Sequence, residues 1–445
     1  MPDLEELCAA AVDAAEDGEA VEAYAEESRR TEVESRRGAV EGLTFAESRG
    51  VGVRVIVGGR LGFSYAADPS LDEVRDAVSR ARTNAALATP DEHNVLPEAQ
   101  PWEPLDGLYD EAQAAMATDE KVRVALDLER VAISADPRVT KVETCSFGDA
   151  VARASIASTS GIRAEFRRTG CWVVVATLAD GDGETQTGFS FQVGRRLGEL
   201  DPDAVAREAV DRAVRMLGAV KPASQRVPVV LDPFAASSFL GVLAGALSAE
   251  AVLKGRSLFA ELVGERVGSD RVTLVDDGRL AEGPAASPFD DEGVPTGRTE
   301  LITDGVLNGF LHDTYTARRS ATSSTGNAGR AGYRSTPGVG TTNFWLEPGE
   351  RTFEQLLADA EGGVLIQDVS GVHSGANPIS GEFSVGATGL RIAGGALGEP
   401  VREMTIASTI PEMLNGVTAV GSDLRFFSSV GTPSILIGEM TVAGV

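Results

Sequence analysis

Residues 50–64, GVGVRVIVGGRLGFS, are the strongest constraint on what this chain can become. β-Branched residues run up to Gly58-Gly59, and that pair reads as the tight turn of a β-hairpin. Around it, helix and strand signals alternate. Residues 4–16 have helical spacing, while 21–27 and 31–48 alternate polar and apolar in short runs, broken at Gly38 and Gly42. A helix rich in Ala and Arg is expected over 70–87, opened by Pro69-Ser70. Residues 89–110 carry Pro90, Pro97, Pro101 and Pro104 and little pattern, so they read as a linker or an extended surface strap.

A second helix is expected over 118–135, then long strands from 139 to 193 with Asp180-Gly181-Asp182-Gly183 as a turn. Residues 201–217 read as a helix that begins at Asp201-Pro202. KPASQR at 221–226 looks like a domain joint. After it come a short apolar strand at 227–232 and a long helix from Pro233 towards Lys254. The remainder is Gly-rich, mostly strand and loop, with one long loop over 320–340. No short-period repeat is visible. The chain is therefore expected to be α+β, with a helix-and-sheet N-terminal half and a β-rich C-terminal half. The expected division is 1–110 (an α+β domain with its Pro-rich strap), 111–225 (a central α+β domain) and 226–445 (the β-rich domain).

At 445 residues the chain is long enough for two or three domains with real cores. It has no run of eighteen apolar residues, and its first twenty residues are acidic, without the basic start of a signal peptide. A cytoplasmic protein without membrane partners is expected. The net charge of −27 argues against gripping phosphates, so no nucleic-acid partner is expected either. Cys8, Cys145 and Cys171 are far apart and odd in number, which fits buried thiols rather than disulfides or a metal site.

His93, His312 and His373 are the only histidines, and none lies within a helical turn of another. No His-x-x-x-His zinc pair can form. His93 is expected to face solvent and His312 to be structural. Glu250 and Lys254 are spaced i, i+4, so Glu250 reads first as half of an intrahelical ion pair. Two Gly-rich stretches stand out: TGNAGR at 325–330 and GVHSGANPISGEFSVG at 371–386. Glycines admit close backbone approach, and uncharged polar groups between them suit a peptide main chain. Thr325, Asn327, Arg330, His373, Ser374, Asn377 and Ser380 are the candidate contacts to substrate or partner. Ordinary turns are the alternative. There is no Gly-Lys-Ser/Thr phosphate loop and no Gly-x-Ser-x-Gly elbow.

Several segments together resemble the TldD/PmbA metallopeptidase family. They are LSAEAVLKGRS (247–257), GERVGS (264–269), LVDD (274–277), FDDEGVPT (289–296), TGNAGR, TNFWLE (342–347) and the 371–386 stretch. The resemblance is to the PmbA (TldE) subunit type, which lacks the zinc motif. In the zinc-bearing subunit type the segment matching 249–254 has the form His-Glu-x-x-x-His. Here Ala249 and Lys254 stand at the histidine positions, leaving Glu250 as a vestige. A cysteine ligand is likewise absent from 425–433, RFFSSVGTP. The resemblance implies a chain with no metal or cofactor of its own and a TldD-like paralogue that supplies the zinc. The complex would cut small or unfolded peptides. A non-catalytic regulatory or peptide-binding protein is the alternative.

Overall fold

The computed structural model describes residues 2–181 and 183–444; Asp182 of the expected 180–183 turn lies outside the described residues. The chain is α+β, as its pattern predicts. Its N-terminal half is built on one six-stranded antiparallel sheet. The strands are β1 (Ala20–Arg36), β2 (Ala39–Val57), β3 (Arg60–Ala67), β4 (Val139–Ser158), β5 (Arg163–Gly181) and β6 (Glu184–Gly194). Their order is β3-β2-β1-β4-β5-β6. Segments 1–110 and 111–225 thus share a continuous sheet, joined where β1 pairs with β4.

The sheet is a duplicate. A helix, three strands and a second helix occur twice: Leu4–Asp13, β1–β3 and Leu71–Leu87, then Thr118–Ala135, β4–β6 and Pro202–Val214. Each unit closes in the same way. A Cβ on Gly62 in β3 would lie 1.9 Å from the Ala81 carbonyl oxygen, and one on Gly188 in β6 would lie 2.0 Å from that of Ala209. In both units a strand glycine lets the trailing helix sit directly on the sheet. The Gly58-Gly59 turn forms as expected, with φ of 54° and 77° at the two positions. The short runs at 21–27 and 31–48 are not separate strands. They join into strands of 17 and 19 residues, because every residue of β1 is paired with β2.

The C-terminal half contains a closed ring of five strands. Ala396–Thr409, Glu382–Ala393, Val364–Ser370, Gln225–Leu231 and Ile435–Ala443 pair in that order, and the last pairs back to the first. A second six-stranded sheet, including Leu274–Asp277 and Phe344–Leu346, packs across the same core. The Pro233–Ala246 helix runs through that core, with Phe239 edge-on to Phe383 at 5.6 Å. The helix expected to run on to Lys254 breaks at Leu247-Ser248. Ser248 is extended and bridges to Leu311, and a separate helix, Ala249–Leu253, restarts with the Ala249 N–H donating to the Leu311 carbonyl. Tertiary pairing there overrides local helix propensity. The 371–386 stretch is not all loop either, since from Glu382 it is strand.

All three cysteines are buried, and burial pushes each thiol up to about 12. Among the described residues no helix is long and apolar enough to cross a membrane.

Candidate functional site

Residues 21–25 of β1 and 50–56 of β2 are buried on both faces. Val21, Ala23, Ala25, Val51, Val53 and Val55 face the helices. The alternate residues Glu22, Tyr24, Gly50, Gly52 and Arg54 face the C-terminal half. Gly50 and Gly52 are glycines because Tyr333 occupies their side-chain space. A Cβ there would lie 2.3 Å from its ring and 2.2 Å from its carbonyl oxygen.

At this junction four charged side chains form one buried network. Arg54 donates to Glu22 through Nε at 2.9 Å and through a terminal nitrogen at 2.5 Å, and to Glu292 at 2.9 Å. Arg330 donates to Glu22 Oε1, which Arg54 Nε also reaches, and stacks over Tyr24. Glu22 and Glu292 are each 1% exposed. Burial works against the Glu292 carboxylate, but Arg54 and the Thr314 N–H outweigh it and hold its pKa below the usual value. Asp290, buried beside Glu292, is pushed well up. Its oxygens accept N–H groups of Glu292, Val294 and Ala328 and so shape the acidic turn.

The TGNAGR stretch belongs to this network. Thr325 Oγ1 accepts from the His312 N–H and donates to Asn327 Oδ1 at 2.7 Å. Asn327 Nδ2 donates to Asp276 at 2.7 Å. The Arg330 Nε donates to the Asp291 carbonyl, and its backbone N–H to the Asp291 carboxylate. Thr325, Asn327 and Arg330 therefore spend their polar groups inside the protein. His373, Ser374, Asn377 and Ser380 form a separate, exposed turn. There Asn377 Oδ1 accepts from the Ile379 and Ser380 N–H groups, and Ser374 Oγ bonds the Gly371 carbonyl at 3.1 Å. The structure does not merge the two stretches into one cluster through any hydrogen bond among the described residues.

Asp276 is the network's titratable end. Burial raises it to about 6, although Asn327 and Thr342 donate to it. Between pH 4 and 6 the folded chain keeps a proton here that the unfolded chain has released. This contribution therefore destabilises the fold as pH rises through that window. Asp276→Asn removes the titration. Between pH 4 and pH 7 the variant should gain about 2 kcal/mol relative to the parent. Urea unfolding at both pH values measures this, and a pH-independent difference would count against it.

At the Ala249–Leu253 helix, Glu250 is bound by Lys254 in an exposed i, i+4 ion pair. Ala249 is 1% exposed and carries no donor atom. Ser428 sits at the tip of the hairpin Arg425–Phe427/Val430–Thr432, with φ of 60°. A methyl group, an ammonium and a hydroxyl do not make a zinc site. His312 is buried, with its pKa lowered by burial, and its Nδ1 has no partner. His93 is half-buried rather than solvent-facing, and its Nδ1 also lacks a partner. The strap folds back over the C-terminal half, where Asp91 receives the Tyr315 hydroxyl at 2.9 Å. Of the network of Glu22, Arg54, Glu292 and Arg330, the sequence singles out only Arg330 as a contact and gives no sign of the pairing, because Glu22 and Arg330 are 308 residues apart.

Three family models cover the chain: PmbA/TldA metallopeptidase domain 1 over 21–85, the central domain over 112–217 and the C-terminal domain over 224–444. The chain is 27% identical to Metalloprotease PmbA of Escherichia coli O157:H7, over 93% of this chain and 89% of that one. It is 26% identical to a Metalloprotease TldD homolog of Haemophilus influenzae, over 92% and 89%. A solved Thermotoga maritima protein, described as a proposed modulator of a DNA gyrase, superposes with a TM-score of 0.90 at 28% identity, over 99% of both chains. TldE from Thermococcus kodakarensis, at 24% identity and a TM-score of 0.90, shares the fold. With its three domains matched in order and its fold shared end to end, this chain belongs to the PmbA/TldD metallopeptidase family.

Proposed function

We propose that this chain is the zinc-free subunit of a two-subunit peptidase whose metal is held by a TldD-like paralogue, and that the complex cuts small or unfolded peptides. The observation behind this reading is the state of Glu250. Its carboxylate is taken up by Lys254 in an exposed ion pair, with no metal ligand beside it. With no zinc ligand at Ala249 or Lys254, this helix holds no metal that would acidify a water for Glu250. The existence of relatives of both the PmbA and the TldD kind supports a paralogous pair. Of the candidate contacts, His373, Ser374, Asn377 and Ser380 lie on an exposed turn that a partner or a peptide can reach.

The test is reconstitution. The purified chain alone should hold less than about one zinc in ten chains and should not cut casein or short peptides. Mixing with the zinc-bearing paralogue should bring activity. In the same assay, His373→Ala with Asn377→Ala should lower the rate about tenfold, roughly 1.4 kcal/mol of lost interaction. Robust, chelator-sensitive hydrolysis by the isolated chain would refute the two-subunit reading.

A further inference from the structure

The outer edge of β2 is open over residues 39–48. β3 pairs with β2 only from Gly50 to Val57, while β1 fills the inner edge along the whole length. Three large apolar side chains lie on this open stretch: Val40 at 42% exposure, Leu43 at 53% and Phe45 at 58%. They share one face. Val40 is opposite Ser35, Leu43 opposite Val33 and Phe45 opposite Thr31, and opposed residues in an antiparallel pair point the same way. That face carries the Thr118–Ala135 helix, since Ser35 Oγ donates to the Ala125 carbonyl at 2.9 Å and Val33 is buried in the same core. The helix packs chiefly on β4 and β1 and leaves the β2 strip uncovered. Proline and lysine, the usual guards of a free edge, are both missing from residues 39–48.

We infer that this edge receives a strand from a second, different polypeptide, one with apolar side chains towards the helix-bearing face and a basic residue facing Glu47. A second copy of this chain fits poorly. Antiparallel self-pairing about Thr44 sets Leu43 against Phe45 but also Glu41 against Glu47, on both sides of the axis. Centring on Leu43 puts Phe45 against Glu41, and centring on Phe45 puts Leu43 against Glu47. Like charges in opposition destabilise a sheet, and each copy carries a net charge of −27. Glu41 already has a partner in Arg36 at 3.0 Å. Arg29, directly across from Glu47, donates instead to the Ala114 carbonyl at 2.8 Å. Glu47 is therefore the charge that an incoming strand meets.

This inference rests on the two-subunit reading and takes the TldD-like paralogue of the same genome as the incoming partner. The experiment measures the dissociation constant of the purified chain for that paralogue by sedimentation or calorimetry. Leu43→Lys with Phe45→Lys should weaken binding at least tenfold and Glu47→Lys several-fold, with the circular dichroism spectrum unchanged. If the double variant unfolds early, Glu47→Lys, on an exposed side chain, decides. Equal affinity for parent and variants overturns the edge assignment and leaves the two-subunit reading standing. A parent homodimer that the double variant dissolves overturns it as well, giving the edge to a second copy. No complex between the parent chain and the paralogue overturns both readings together.

Discussion

Arg54→Met is expected to lower the unfolding free energy by about 3–5 kcal/mol, because it strips a buried ion network of its central cation. Methionine restores most of the volume but none of the charge. Glu292 then keeps only the Thr314 N–H as a charge-stabilising contact, and Glu22 keeps only Arg330. Both carboxylates are almost fully enclosed, so water cannot replace the guanidinium. A loss of this size is a large share of the 5–15 kcal/mol that holds an ordinary domain folded. The deficit should shrink as pH falls towards 5, since a stranded Glu292 can then take up a proton and shed its charge. Adding Glu22→Gln and Glu292→Gln to Arg54→Met should recover part of the loss. Urea unfolding of the four proteins at pH 5 and pH 8 measures all of this. A cost below about 1 kcal/mol, the scale of an exposed ion pair, would show that the network contributes little.

Gly62→Ala and Gly188→Ala should each cost about 3 kcal/mol or more, the upper end for overpacking, because the new methyl group meets backbone and not a movable side chain. At Gly62 it would lie 1.9 Å from the Ala81 carbonyl oxygen and 2.3 Å from the Ala85 nitrogen. At Gly188 the distances are 2.0 Å to the Ala209 oxygen and 2.3 Å to the Ala213 nitrogen. Either helix must lift off its strand to make room. Gly58→Ala is the control. That position is open, with nothing within 4 Å of the added carbon, so only its positive φ is penalised, by about 1–2 kcal/mol. Melting temperatures of the three variants should separate the two classes. Equal losses at Gly58 and Gly62 would show that backbone conformation, and not helix–strand approach, dominates at both.

Those two glycines lie four residues apart in one stretch, and the sequence treats them alike. The difference between them marks where local reading ends. Legible from residues alone were the Gly58-Gly59 turn, the helix over Thr118–Ala135, the buried cysteines and the Glu250–Lys254 ion pair. The cysteines follow from residue type and number; the other three depend on neighbours within a few positions: a positive φ, a 3.6-residue period or an i, i+4 spacing. The ordered motifs from LSAEAVLKGRS to the 371–386 stretch also marked the family.

What they could not convey was their work. FDDEGVPT counted only as a family motif, and Arg330 of TGNAGR looked like a contact to substrate or partner. Folding instead encloses them against β1 and β2, where Arg330 meets Glu22. Charge patterning along the chain cannot encode that encounter, because the partners approach only once two separate cores have formed. The same holds for the uncovered strip of Val40, Leu43 and Phe45. Its alternation predicts a strand, but only the shortness of β3 and the placement of the Thr118–Ala135 helix leave it exposed. Local sequence set the periodicity and the turns. Burial, which decides whether a charge is a contact or a clamp, was set by which surfaces the tertiary structure brought together.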